Sequence, residues 1–277
     1  MLSSQFLATL LQGIKNKIAG PRKSSFRSLS IGWLRLKYLK HLPEGKLYRQ
    51  SLLEHLLFFT APQELLHGLQ EIFLDEIYKQ ELPENARILD CGANIGLSII
   101  YLKRICPTAR ITAFEPDEMN FELLKKNLTS FKLQQVDIQK LAVWKENTTL
   151  QFSNSQGMAS HIENKPSGGN TVSVNATRLR DWLEQPVDFL KLDIEGAEFE
   201  VLMDCDEKLE NVQRLFIEYH GQFEQKQELT TLLQLVERSG FKYYIREATP
   251  VFRTPFSRPA MQEHPYQVQL NIFCFRN

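Results

Sequence analysis

The chain has 277 residues, 43% hydrophobic and 24% charged, which suits one large soluble domain or a domain with an appendage. Its zero net charge conceals an asymmetry: residues 1–49 hold ten Lys/Arg against one acid, Glu44, leaving 23 bases and 32 acids for the rest. An acidic main body is a poor candidate for a nucleic-acid binder, so no nucleic-acid partner is expected, and no apolar run is long enough to span a bilayer. The cysteines, Cys91, Cys106, Cys205 and Cys274, are scattered, with no zinc or disulfide pattern, so a reducing cytoplasmic setting is expected.

Along the chain, Phe6, Leu7, Leu10, Leu11, Ile14 and Ile18 recur at helical spacing with Lys15 and Lys17 among them, until Gly20-Pro21 stops the pattern. Such a basic amphipathic helix over residues 1–20 fits packing on its own domain, packing across a homodimer, or peripheral contact with the inner membrane surface. Residues 1–44 read as a basic N-terminal extension and residues 45–84 as a helical lead-in. In the lead-in, Ser51 to Gln80 is expected to be helical, with Leu65, Leu69, Ile72, Phe73 and Ile77 as one stripe.

From residue 85 to 277 strands and helices alternate, implying an α/β domain whose parallel sheet is covered on both faces. Arg87–Cys91 reads as a buried strand, Gly92–Gly96 as a glycine turn, and a helix follows to about Ile105. A second strand, Ile111–Phe114, ends on Glu115. Asp117 opens a helix with Phe121, Leu124, Leu128 and Phe131 on one face, and a third strand is expected over Gln135–Val143. Residues 144–176 read as a strand meander around a Gly168-Gly169-Asn170 turn, with a helix near Leu179–Leu183 after it. Val187–Leu192 and Arg214–Glu218 are the next core strands. A helix through Leu229 and Val236 ends at Ser239-Gly240, and Phe241–Ile245 with Leu270–Phe275 form a closing antiparallel pair.

The turn after the first core strand names a ligand class. Glycines at a strand-to-helix turn allow close backbone approach, and an acid ending the next strand suits two ribose hydroxyls. A dinucleotide fingerprint starting at Gly92 needs glycines where Asn94 and Leu97 stand. Asp90, before the first glycine, would repel a diphosphate but suits a cofactor carrying an ammonium group and a cationic centre. These features point to S-adenosylmethionine.

The chain resembles the FkbM-type methyltransferases, a branch of the class I S-adenosylmethionine-dependent enzymes. The resemblance covers approximately residues 45–245 and rests on Ile88–Gly96 (ILDCGANIG), Phe114-Glu115-Pro116, Ala142-Val143 and Val187–Glu198 (VDFLKLDIEGAE). It implies a Rossmann-like seven-strand fold and O-methylation, often of sugars or other natural-product hydroxyls. It also implies that Asp90, Gly92, Asn94 and Gly96 line the methionine part of the cofactor and that Glu115 holds the ribose. Pro116, Asp117, Glu118 and Ala142 would flank the adenine, with Asp193 beside the methyl-bearing end. Asp193-Ile194-Glu195-Gly196 stands where methyltransferases acting on nucleic-acid bases show an N/D-P-P-Y-type motif, which argues against a base as acceptor.

A hydroxyl acceptor must lose a proton as its oxygen attacks, so a general base is expected beyond the carboxyl ends of the strands. Two pairs arrive there, Asp193/Glu195 and Glu218/His220, each aimed to one side if the chain stays extended. His220 is the first choice of base because its ordinary pKa is near neutrality. A divalent metal held by the same four groups is a competing reading, and Lys191 reads as structural. The expectation is a cytoplasmic O-methyltransferase acting on a small molecule, sugar or glycoconjugate. The alternatives are an N-methyltransferase, a metal-dependent variant, or a membrane-surface cofactor-binding protein without turnover.

Overall fold

The computed structural model describes residues 25–153, 171–225, 227–252, 254–256 and 266–276. The amphipathic pattern of residues 1–20 and the glycine turn at 168–170 lie outside them. The chain divides into two compact units at Ile77/Tyr78.

The described part of the first unit opens with a 3-10 turn, Phe26–Leu29, and helix α1, Trp33–Lys40. Strands β1, Tyr48–Leu52, and β2, His55–Phe59, then pair antiparallel, with Leu52 facing His55 across the turn. This corrects the expectation of helix from Ser51 onward. The two turn residues, Leu53 and Glu54, both have positive φ (50° and 68°), as a tight right-twisted hairpin requires. Alternation then buries Leu52, Leu57 and Phe59 on one side. Arg35 ties α1 to the hairpin by donating from Nε to Gln50 Oε1 (2.7 Å) and from Nη2 to the Arg49 carbonyl (3.0 Å). Helix α2, Pro62–Gly68, begins with proline at its first turn, where no N–H is needed, and runs on as a π-helical stretch, Leu69–Leu74. The predicted stripe is thus helical only from Pro62, with Leu65, Leu69, Ile72 and Phe73 buried.

The second unit is a seven-stranded sheet in the order β11-β12-β10-β9-β3-β4-β5. In chain order, β3 is Arg87–Cys91, α3 Leu97–Ile105, β4 Arg110–Phe114, α4 Glu118–Ser130 and β5 Val136–Gln139. Then come β6, Ala142–Trp144, β7, Thr148–Ser153, and β8, Thr171–Arg178, which form a separate three-stranded sheet. The third core strand therefore stops at Gln139, and Ala142–Trp144 leaves to pair with β8, not with β4. After α5, Leu179–Trp182, come β9, Phe189–Leu192, α6, Glu198–Cys205, and β10, Arg214–Gly221. Helix α7, Glu228–Arg238, leads to β11, Lys242–Glu247, and β12, Val268–Phe275, which pair antiparallel.

Strands β5, β4, β3, β9 and β10 are parallel, and β12 runs antiparallel between β10 and β11. Chain order moves outward from β3 through β4 to β5 and, on the other side, from β9 to β10. Right-handed crossovers therefore put α3 and α4 on one face and α6 on the other. The residues agree: Leu89, Cys91, Leu190 and Leu192 join the apolar core with Val201, Leu202 and Cys205 of α6. Asp90 points the other way and accepts from Ser98 in α3. The reversal of strand order between β3 and β9 opens a crevice beyond their carboxyl ends, where open α/β sheets bind ligands.

Candidate active site

The glycine turn is built by internal contacts. Gly92 has φ +83°, and a Cβ there would overlap the Asp193 carbonyl oxygen. Its N–H donates to Phe114 O (3.0 Å) and its carbonyl accepts from Lys191 Nζ (2.8 Å). Gly92 is thus required where the ends of β3 and β9 meet, a packing reason that the sequence reading did not include. Gly96, at φ +92°, starts α3, and a Cβ on it would sit 2.7 Å from Leu124 of α4. Asn127 in α4, fully buried, pins the same turn by donating to Ile95 O at 2.8 Å.

Asp90 is fully buried. Its Oδ2 accepts from Ser98 Oγ at 2.5 Å, and its Oδ1 lies 3.3 Å from Lys191 Nζ. The charged group nearest to Asp90 is therefore Lys191, and among the described residues its Oδ1 has no hydrogen-bond partner. Lys191 also lies 3.2 Å from Asp193 Oδ2. Burial opposes its charge, but the two carboxylates outweigh burial and hold its pKa well above the ordinary lysine range. Lys191 is therefore a charged hub joining the ends of β3 and β9. A lysine inside the apolar run Val187–Leu192 was the available signal, since a buried charge must be paired.

Glu115 ends β4 with its side chain buried. Its Oε2 accepts from the Asn94 N–H (2.8 Å) and its Oε1 from the Asp117 N–H (2.9 Å). Asn94, exposed at φ 48°, aims that N–H from the tip of the glycine turn. Burial pushes the Glu115 carboxyl up to about 7, against the lowering effect of the two N–H groups. Around it, Pro116 is half-buried, Asp117 and Glu118 are exposed, and Ala142 is buried. Asp117 caps α4 by accepting from the Asn120 N–H at 2.9 Å.

On the other side of the crevice β9 stops at Leu192, so Asp193 and Glu195 are not an extended pair as expected. The chain turns instead, with Glu195 at φ 58° and Gly196 at φ +96°. Glu198, buried in the first turn of α6, organises the turn: its carboxylate accepts from the N–H groups of Ile194 (3.1 Å) and Gly196 (3.0 Å). The same Oε1 is 3.2 Å from His220 Nδ1. Tyr266 closes over it, donating its hydroxyl to Glu195 O (2.6 Å) with its ring 4.6 Å from that of His220. Neither Glu198 nor Tyr266 is among the sequence-predicted site residues, because the contacts of Glu198 with His220 and of Tyr266 with Glu195 span long sequence separations.

β10 runs through His220, so Glu218 and His220 do share a face, with His220 Nε2 3.8 Å from Glu218 Oε1 and 3.7 Å from Glu195 Oε2. The structure thus brings all four predicted groups, Asp193, Glu195, Glu218 and His220, to one end of the crevice, while Glu115 and Asn94 stand at the ends of β4 and β3. The near-neutral pKa expected for His220 does not survive these surroundings. Burial lowers it, but the Glu198 hydrogen bond and the charges of Glu198, Glu195 and Asp193 raise it to about 10. At neutral pH the imidazole in this arrangement is a cation, which is a donor and not a base.

Residues 90–243 match the family model "Methyltransferase FkbM domain". Methyltransferase 1 of Beauveria bassiana is 29% identical over 64% of this chain and 80% of its own length. Methyltransferase sdnD of Sordaria araneosa is 32% identical over 50% of this chain and 68% of its own length. A third relative, the 2-O-methyltransferase NoeI of Sinorhizobium fredii, is 25% identical over 54% of this chain and 70% of its own. With the family model spanning more than half of the chain, and laid over the strands that build this crevice, the protein belongs to the FkbM family of S-adenosylmethionine-dependent methyltransferases.

Proposed function

We propose that the protein transfers a methyl group from S-adenosylmethionine to a hydroxyl of a small molecule, sugar or glycoconjugate. The observation that carries the cofactor half is Glu115. Each of its carboxylate oxygens spends one acceptor site on a backbone N–H and keeps a second, which is the pair of acceptors that two vicinal ribose hydroxyls need. Asn94, Gly92 and Gly96 would line the methionine side of the crevice, and Pro116, Asp117, Glu118 and Ala142 the adenine side. Asp90 would act through Lys191. When bound, the cofactor supplies a methyl group on a sulfonium centre.

At the acceptor end, Asp193, Glu195 and Glu218 would receive the acceptor and take up its proton, while protonated His220 would donate a hydrogen bond to it. Much of the remaining rate would come from orientation alone. The hydroxyl reading is supported by Asp193-Ile194-Glu195-Gly196 after β9 and by kinship to a protein named as a 2-O-methyltransferase. The domain boundaries proposed with it are 1–44, 45–84 and 85–277. The test is incubation with methyl-labelled S-adenosylmethionine and extracts of saccharides and small metabolites, followed by mass spectrometry. A labelled methyl ether is the expected product. A labelled amine would move the protein to N-methylation, and failure to bind S-adenosylhomocysteine would remove the cofactor assignment.

A further inference from the structure

We propose that Asp193, Glu195 and His220 form a binding site for one divalent transition-metal cation at the acceptor end of the crevice. One ligand atom from each of these residues lies within 4.8 Å of the others. Around an ion about 2.1 Å from each ligand, neighbouring ligand atoms stand roughly 3.0–4.2 Å apart. His220 Nε2 to Glu195 Oε2, at 3.7 Å, falls in that window and is too long for a hydrogen bond. Glu218 Oε1, at 3.8 Å from the same nitrogen, is within reach of the same ion or of a water bound to it.

His220 is also built as a ligand. Its Nδ1 meets the Glu198 carboxylate at 3.2 Å, and its Nε2 faces Glu195 at 3.7 Å in the cluster that Asp193 completes. A carboxylate behind an imidazole fixes the tautomer and raises its basicity toward a metal. Glu198 itself is held by the N–H groups of Ile194 and Gly196, so the ring is oriented by the turn that presents Glu195.

A second observation comes from the neighbouring strand. Asn271 of β12 lies opposite Glu218 in register and therefore projects from the same face. It is fully buried, and among the described residues neither its Oδ1 nor its Nδ2 has a hydrogen-bond partner. A buried amide in that condition marks a place for ordered water or a ligand shell. Two carboxylates and one imidazole suit Mn2+ or Zn2+, and three protein ligands leave positions open, as catalytic sites do. One proton leaves His220 Nε2 as the ion arrives. The role assigned to the ion, orienting and acidifying the acceptor hydroxyl, rests on the methyltransferase reading above and takes the place of the hydrogen bond given there to protonated His220, because Nε2 then faces the ion. The binding site does not.

The experiment is titration of the full-length, chelator-stripped protein with MnCl2, read by calorimetry and by the loss of the free-Mn2+ electron paramagnetic resonance signal, with no cofactor or acceptor present. One ion per chain is expected. Asp193→Asn and Glu195→Gln should each weaken binding at least tenfold. Glu195 is half exposed, so its variant should fold normally, and thermal melts check this. Glu200→Gln, a nearby exposed acid paired with Lys145, should bind like wild type. No saturable binding of Mn2+, and none of ZnCl2 in the same assay, overturns the site, as does unchanged binding in both ligand variants. Calorimetry with S-adenosylhomocysteine on the same stripped protein separates this failure from failure of the methyltransferase reading.

Discussion

His220 Nδ1 and Glu198 Oε1 lie 3.2 Å apart with both side chains almost fully buried, which makes the base expected from sequence part of an ion pair. The consequence for stability follows from linkage. Removing the charged partner of a buried ion is among the costlier single changes.

The first prediction concerns that pair in chelator-containing buffer. Because the folded pKa of His220 is raised to about 10, its contribution is fully present below pH 6.5 and is lost as pH rises toward 10. Urea midpoints of the wild type should fall across that interval. Glu198→Gln should flatten the fall and lower stability at pH 7. A wild-type midpoint independent of pH between 7 and 10 contradicts the pairing.

The second prediction concerns Lys191. Its ammonium is buried against Asp90 and Asp193, so Lys191→Met leaves Asp90 uncompensated inside the sheet. The loss should be about 3–5 kcal/mol. Adding Asp90→Asn should restore much of it, because an amide can be buried at lower cost and Ser98 Oγ–H can still donate to its carbonyl. Additive losses in the double variant would show that the two groups are not coupled.

What the sequence disclosed and what it withheld divide along physical lines. The parallel strands were legible because strands buried on both faces are mostly apolar runs, as in Arg87–Cys91 and Phe189–Leu192, and one helix between them, α4, carries a side-chain cap, Asp117. The β1–β2 hairpin was not, because its turn uses Leu53 and Glu54 where a glycine or asparagine would signal φ > 0. The break between β5 and β6 was hidden by an unbroken β-rich stretch, since pairing partners decide which sheet a strand joins. Asp193, Glu195, Glu218 and His220 could be named from their places at strand ends. Their electrostatics could not, because Glu198 reaches His220 across a helix and Tyr266 arrives from the far end of the chain.

Gly92 supports a third prediction. At φ +83° any L side chain is strained, and a Cβ would collide with the Asp193 carbonyl, which is backbone and cannot swing away. Gly92→Ala should therefore force β3 and β9 apart at their carboxyl ends, costing roughly 3 kcal/mol or more. Binding of S-adenosylhomocysteine should be lost along with the native Lys191 contacts. Gly32→Ala, where nothing among the described residues lies within 4 Å of the added Cβ, is the control and should be nearly neutral. Comparable melting temperatures for the two variants would falsify the close-contact account.

The fourth prediction ties Glu115 to proton release. Its carboxyl is pushed up to about 7 by burial, so near neutral pH a sizeable fraction is protonated in the free protein. Ribose hydroxyls donate to the ionised form and stabilise it, which must pull that pKa down on binding. Affinity for S-adenosylhomocysteine should therefore rise between about pH 6 and 8 and then level. Binding at pH 6.5 should release a fraction of a proton, visible as a calorimetric enthalpy that depends on the ionisation enthalpy of the buffer. Glu115→Ala should weaken binding by about 2–4 kcal/mol, as loss of two charge-assisted bonds does, and abolish both the pH slope and the buffer dependence. Glu115→Gln keeps the shape but cannot ionise, and its affinity should be lower and flat with pH. If that variant retained the wild-type slope, the titrating group would lie elsewhere and Glu115 would lose its place at the ribose.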